Sequence, residues 1–163
     1  MLRDKNLIPL SHQHQRALAL CVRIDRAQPI SAADLEVWRA EVTQQFEQEI
    51  KIHFAAEEKV LFPIARNLSG LKLLVDELVA EHDLLRREFL QVEKGSMSAE
   101  ELPRFAKRLS EHVRKEERHL FERLQQLMNP KDMTALGVSL QRELQEASQA
   151  CILPSEVTRI RAR

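Results

Sequence analysis

An all-α fold follows from three properties of this 163-residue chain. Leu, Ala, Glu, Arg and Gln dominate, while there are only three glycines and no tyrosine, which is a helix-former's composition. Apolar residues return at helical rather than alternating spacing through most of the length. Proline, glycine and capping residues then cut the chain into five segments of helical length. The length suits one domain with a substantial core.

The first helix starts at Pro9 or Ser11 and runs to Ala27, where Pro29 stops it. Ser31, with Asp34 three residues on, caps a second helix that continues to about Arg66, with Pro63 expected to kink or tighten its last turn. Ser69-Gly70 breaks the chain, and a third helix follows from Leu71 to about Lys94, ended by Gly95. Ser98-Ala-Glu-Glu101 is a capping box for the fourth, which reaches about Met128 with Pro103 in its first turns. Asn129-Pro130 reads as N-cap and first residue of a fifth helix extending to about Ala150.

Each of the first four helices carries a histidine on the face it should bury. His14 lies in line with Leu7, Leu10, Ala17, Cys21 and Ile24, and His82 with Leu71, Val75, Leu78, Leu85, Phe89 and Val92. The second stripe is Phe46, Ile50, His53, Glu57, Leu61 and Ile64; the fourth is Leu102, Phe105, Leu109, His112, Glu116, Leu120 and Leu127. Two of these segments nearly repeat one another: His53-Phe-Ala-Ala-Glu57 with Leu61-Phe62, and His112-Val-Arg-Lys-Glu116 with Leu120-Phe121. Four residues make about one helical turn, so each His stacks with its Glu. In an up-down arrangement, His53, His82 and His112 fall at similar distances from their turns. His14 and His53 match less well across the first connection, a difference that an overhanging start to the second helix, around Leu35 to Trp38, would absorb.

Burying these polar groups without partners would cost several kcal/mol each, and a shared metal removes that cost. Glu57 and Glu116 are the candidates to bridge two ions, with His14, His53, His82 and His112 as terminal ligands. Mixed imidazole and carboxylate ligation suits iron, with manganese or zinc as alternatives, and there is no cysteine set for a structural zinc. His12 faces away from His14 and is expected in solvent. His119, seven residues after His112, is expected on the same stripe as a pocket-wall or end-of-bundle residue. Glu58 and Glu117 either support the ligands or sit as surface charges, and the surface is the expectation.

The ordered set Leu10-Ser-His-Gln-His14-Gln-Arg-Ala-Leu18, His53-x-x-x-Glu57, Glu81-His82 and His112-x-x-x-Glu116 resembles the hemerythrin-like (HHE cation-binding) domains over about residues 7–128. The resemblance implies an up-down-up-down four-helix bundle around a non-haem, oxo- or hydroxo-bridged pair of iron ions. By it His14, His53, His82 and His112 are terminal ligands, and Glu57 and Glu116 bridge. Oxygen-carrying members place a fifth histidine where this chain has Leu78, and usually an Asp five residues after the last His where it has Glu116 at four. With one imidazole fewer, binding or sensing of dioxygen, nitric oxide, peroxide or iron itself is expected, rather than stable oxygen carriage or dedicated turnover.

Two other functions compete. A ferritin- or rubrerythrin-like oxidase or peroxidase needs two Glu-x-x-His motifs; this chain has one, Glu116-x-x-His119, and Val60 at the matching place. A metal-free interaction module would use the stripe Met133, Leu136, Leu140, Leu144 and Ala147 of the fifth helix, expected to pack on the bundle within the same domain (1–128 bundle, 129–163 helix and tail), in a monomer or homodimer. Lysine plus arginine and aspartate plus glutamate balance at 25 each, so no overall field draws nucleic acid or acidic lipid. The arginines of the tail Thr158–Arg163 are expected to be a solvated end, and Cys21 and Cys151 carry no motif. No apolar run resembles a signal peptide or a membrane span, so a cytoplasmic location is expected.

Overall fold

The computed structural model describes residues 2–152, with side chains as far as Ala147. Cys151 as a thiol, Pro154 and the basic tail lie outside the described residues. Helices account for nearly all of the rest: α1 (Ile8–Arg26), α2 (32–66), α3 (Lys72–Glu93), α4 (101–127) and α5 (Pro130–Ile152), with no strand among the described residues. The first four form an up-down-up-down bundle.

The expected boundary signals work through identifiable bonds. Ser31 Oγ accepts from the Asp34 N–H at 3.1 Å, opening α2. Ser98 and Glu101 exchange the two bonds of a capping box, at 3.3 and 2.8 Å. That box places Pro103 at the third residue of α4, where its missing N–H is no loss. Asn129 Oδ1 accepts from the Asp132 N–H at 2.9 Å and opens α5. Gly95, at φ 68°, closes α3 in a left-handed turn whose N–H groups at 95 and 96 return to Val92 and Gln91.

Two departures from regular helix shape the interior. α2 widens into π turns at Phe46–Ile50 and Glu57–Leu61, and α4 does so at Glu116–Phe121. The Phe62 N–H, for example, reaches back five residues to the Glu57 carbonyl. Pro63 follows one of these turns, but Glu122 stands at the matching place in α4, so proline is not what makes them. The extra residue shifts the phase of everything beyond it. Leu120, Phe121 and Leu124 are buried, while Leu127, expected on the stripe, is exposed. Of residues 32–45 in α2 only Val42 is fully buried, while Leu35 and Trp38 pack half-buried against the core.

The core divides into two apolar clusters. One gathers around Leu20, Ile24, Phe54, Phe89 and Phe105; the other holds Leu7, Leu61, Val75, Leu120, Phe121 and Leu124. α5 lays Met133, Leu136 and Leu140 into the second cluster. Between the two clusters lies a single polar layer.

Candidate metal centre

That layer consists of His14 from α1, His53 and Glu57 from α2, His82 from α3, and His112 and Glu116 from α4, all buried. The Nε2 atoms converge on the two carboxylates. Glu57 presents Oε1 to His53 at 3.2 Å and Oε2 to His82 at 3.5 Å. Glu116 presents Oε2 to His14 at 3.1 Å and Oε1 to His112 at 3.3 Å. Each glutamate thus gives one oxygen to either half. The donor atoms of His14, His53, Glu57 and Glu116 lie within 4.8 Å of one another, as do those of His82, His112 and Glu116.

The donor atoms also pass a test of chemistry. The Nε2 atoms of His14 and His53 and all four oxygens of Glu57 and Glu116 are buried with no hydrogen-bond partner. Orphaned polar atoms in an apolar core are costly, and divalent cations ligated by imidazole and carboxylate would satisfy every one of them. The residues present therefore fit a bound metal pair.

A second set of groups fixes the imidazoles from behind. His14 Nδ1 donates to Glu117 at 2.7 Å, His53 Nδ1 to Gln13 at 2.8 Å, His82 Nδ1 to Glu58 at 2.7 Å and His112 Nδ1 to Glu81 at 2.8 Å. Because the acceptors are amide or carboxylate oxygens, each Nδ1 carries the proton and each Nε2 is turned inward for ligation. Every acceptor serves the neighbouring helix, so the supports close a ring: α1 to α2, α2 to α3, α3 to α4, α4 to α1. Cations hold three of the carboxylates in turn: Arg3 on Glu117 at 2.5 Å, Arg86 on Glu58 at 2.8 Å, and Lys115 on Glu81. Phe54 stacks on His82 with ring centres 3.8 Å apart, Phe62 lies 5.3 Å from the same ring, and Phe121 lies 5.4 Å from His14.

Charge in the layer is balanced by protons when no metal is there to do it. Burial alone would lower the His14 imidazolium, but the neighbouring Glu116 carboxylate and the hydrogen bond to Glu117 raise it to about 10. His82 is raised to about 11 against the same burial, by Glu116, Glu57 and Glu58. His112 is raised too, its desolvation outweighed by Glu116. Burial and the Glu116 charge push Glu57 up, yet His53 and His82 bring it below the ordinary carboxylate range. Desolvation of Glu116 is likewise overcome, by His112, His14 and His82. Metal binding must displace the imidazole protons.

A small cavity of ≈ 10 Å³ opens beside the His14/His53 half, walled by Ala17, Phe54, Leu109 and Val113, with Glu49 and Gln13 at its polar edge. Glu49 pairs with Arg16 at the surface. Leu78 is fully buried in the apolar cluster below the layer.

Two expectations are corrected here. His119 is exposed and lines no wall, because the π turn at Glu116–Phe121 moves Leu120 into the place that seven-residue spacing would give it. Glu58 and Glu117 are not plain surface charges, being bonded to His82 and His14 and partly shielded. Gln13 and Glu81 escaped the sequence reading as supports. Their signal is adjacency: Gln13-His14 and Glu81-His82 place an acceptor just before a ligand, as the doubled Glu57-Glu58 and Glu116-Glu117 place one just after. His12 is in solvent as expected.

No curated protein and no solved structure matches this chain. A family model, the hemerythrin HHE cation binding domain, matches residues 9–124. That span takes in all four bundle helices to within a few residues of their ends and every residue of the polar layer, and by it the chain belongs to the hemerythrin HHE cation-binding domain family.

Proposed function

We propose that this protein holds two iron ions between its four bundle helices, bridged by Glu57 and Glu116, and uses them to bind or sense a small ligand. The observation that carries this reading is the splayed placement of the two glutamates, each with one orphaned oxygen toward either pair of histidines. Two imidazoles and two carboxylate oxygens per ion suit iron, with manganese or zinc as the competing occupants. When bound, such a pair supplies redox-active coordination positions for dioxygen, nitric oxide or peroxide. The chain's own part is to hold the ligands and size the approach.

The cavity supports a small ligand over an organic substrate, since ≈ 10 Å³ suits roughly one water-sized molecule. Its position follows from the sequence. Ala17 stands three residues after His14, and Leu85 three after His82, so the space that a leucine fills on one half is left open on the other. An oxidase of the ferritin or rubrerythrin kind is disfavoured because His119, the only histidine in a Glu-x-x-His motif, points to solvent. A metal-free module is disfavoured by the orphaned donors. Among the described residues no helix is long and apolar enough to cross a membrane.

The test is elemental analysis of the protein made in iron-supplemented cells. About two irons per chain are expected, with His53→Ala and His112→Ala each lowering the content and the thermal stability. No metal, or a single zinc that neither substitution removes, would overturn the reading.

A further inference from the structure

The two halves of the centre are built alike in their ligands and unlike in one support. A pseudo-two-fold axis relates α1 to α3 and α2 to α4: His14 answers His82, His53 answers His112, Glu57 answers Glu116, and Phe121 stands to His14 as Phe62 stands to His82, at 5.4 and 5.3 Å. Glu117 supports His14 as Glu58 supports His82. The remaining pair breaks the symmetry. Glu81, an ionised carboxylate, accepts from His112, whereas neutral Gln13 accepts from His53.

An acceptor behind an imidazole tunes it as a ligand. A carboxylate draws the Nδ1 proton toward itself and leaves more electron density on Nε2; an amide oxygen does this less. Lys115 beside Glu81 moderates the effect, but Arg86 and Arg3 do the same to Glu58 and Glu117, so Gln13 remains the exception. Resting on the two-iron reading, we propose that the chain holds its ions unequally, and that the ion at His14 and His53 is the weaker-held and exchangeable one because Gln13 is the one uncharged support.

One feature pulls the other way. The four donors around His14 and His53 already lie within 4.8 Å, while on the opposite half only His82, His112 and Glu116 do. Glu57 Oε2 is nonetheless 3.5 Å from His82 Nε2, and a carboxylate's last torsion is broad, so completing that half takes little energy. Replacing an outer support changes metal affinity by about 10- to 100-fold, which is the larger effect.

The test is a cobalt(II) titration of the metal-free full chain, following the imidazole proton resonances of the four ligands by NMR. The first equivalent should shift and broaden His82 and His112 ahead of His14 and His53, by at least about tenfold in occupancy. Gln13→Glu and Glu81→Gln each make the two supports alike, so each should bring the partition near even while two ions still bind. Even filling in the native chain, entry at His14 and His53 first, or a partition unmoved by both variants overturns the inference and leaves the two-ion reading standing. A stoichiometry of one ion in every variant overturns both.

Discussion

Gly137 offers a prediction whose sign depends on which of two opposed effects is larger. It lies inside α5, where alanine is ordinarily favoured over glycine by about 1 kcal/mol. A Cβ built there would stand 2.3 Å from Asn6 Oδ1, 2.7 Å from Asn6 Cγ and 2.6 Å from Asn6 Cβ. Rotating the Asn6 side chain removes the first two clashes but not the third, because Cβ does not move with its own χ angles. The backbone at Asn6 must therefore shift, and with it the turn in which the Asn6 N–H donates to Asp4 Oδ1 at 2.8 Å. Overpacking of this kind costs about 1–3 kcal/mol, so Gly137→Ala should destabilise by about 1 kcal/mol net of the helix gain. In an Asn6→Gly background, which has no Cβ to strike, the same substitution should stabilise by about 1 kcal/mol. Urea denaturation of the four proteins, at constant slope, reads both numbers and the coupling between them. Stabilisation by Gly137→Ala in the native background would refute the close approach of α5 to the N-terminal turn.

Three further outcomes follow from the polar layer and its walls. Ala17→Val should reduce the cavity beside His14 and His53, slowing binding of nitric oxide to the iron-loaded protein in stopped-flow absorbance while leaving iron content unchanged; an unaltered rate would mean the ligand approaches elsewhere. Phe54→Ala removes a fully buried ring stacked on His82, and should cost about 3–5 kcal/mol in chemical denaturation as well as loosening that ligand. The metal-free protein should lose stability as pH rises. His14 and His82 have folded values raised to about 10 and 11 from 6.5, so their contribution is complete below 6.5 and disappears through 10 to 11. Thermal melts of the metal-free chain across that window should fall steadily, while metal-loaded protein, its ligand imidazoles already neutral, should show little of the trend.

Much of this architecture is written in short-range pattern. Ser31, Ser98, Asn129, Gly70 and Gly95 mark helix ends because capping and left-handed turns are local chemistry, bonded within a few residues. The polar layer was legible because four histidines interrupt four apolar stripes, a conflict that only a shared partner resolves. Phase beyond Glu57 and Glu116 was not legible. Periodicity arguments assume a constant turn, and the π turns break it, which is why His119 and Leu127 were misplaced and Leu124 overlooked. The ring of supports was hidden for another reason. Gln13, Glu58, Glu81 and Glu117 each act on a different helix from their own, and a polar residue beside a ligand carries no mark of whether it faces water or the next helix.

The widened turns alter how this chain should respond to insertion and deletion. Removing one residue from a regular helix swings all that follows by about 100° and scrambles the buried face. At Glu57–Leu61 or Glu116–Phe121 the helix already carries one residue too many, so a deletion there would draw the turn back to ordinary pitch and leave Leu61 or Leu120 still directed inward. An insertion at the same point has no such reserve. Two of the widened turns thus begin at Glu57 and Glu116, in the buried polar layer where change would be least expected, and there these helices can be shortened without losing their register.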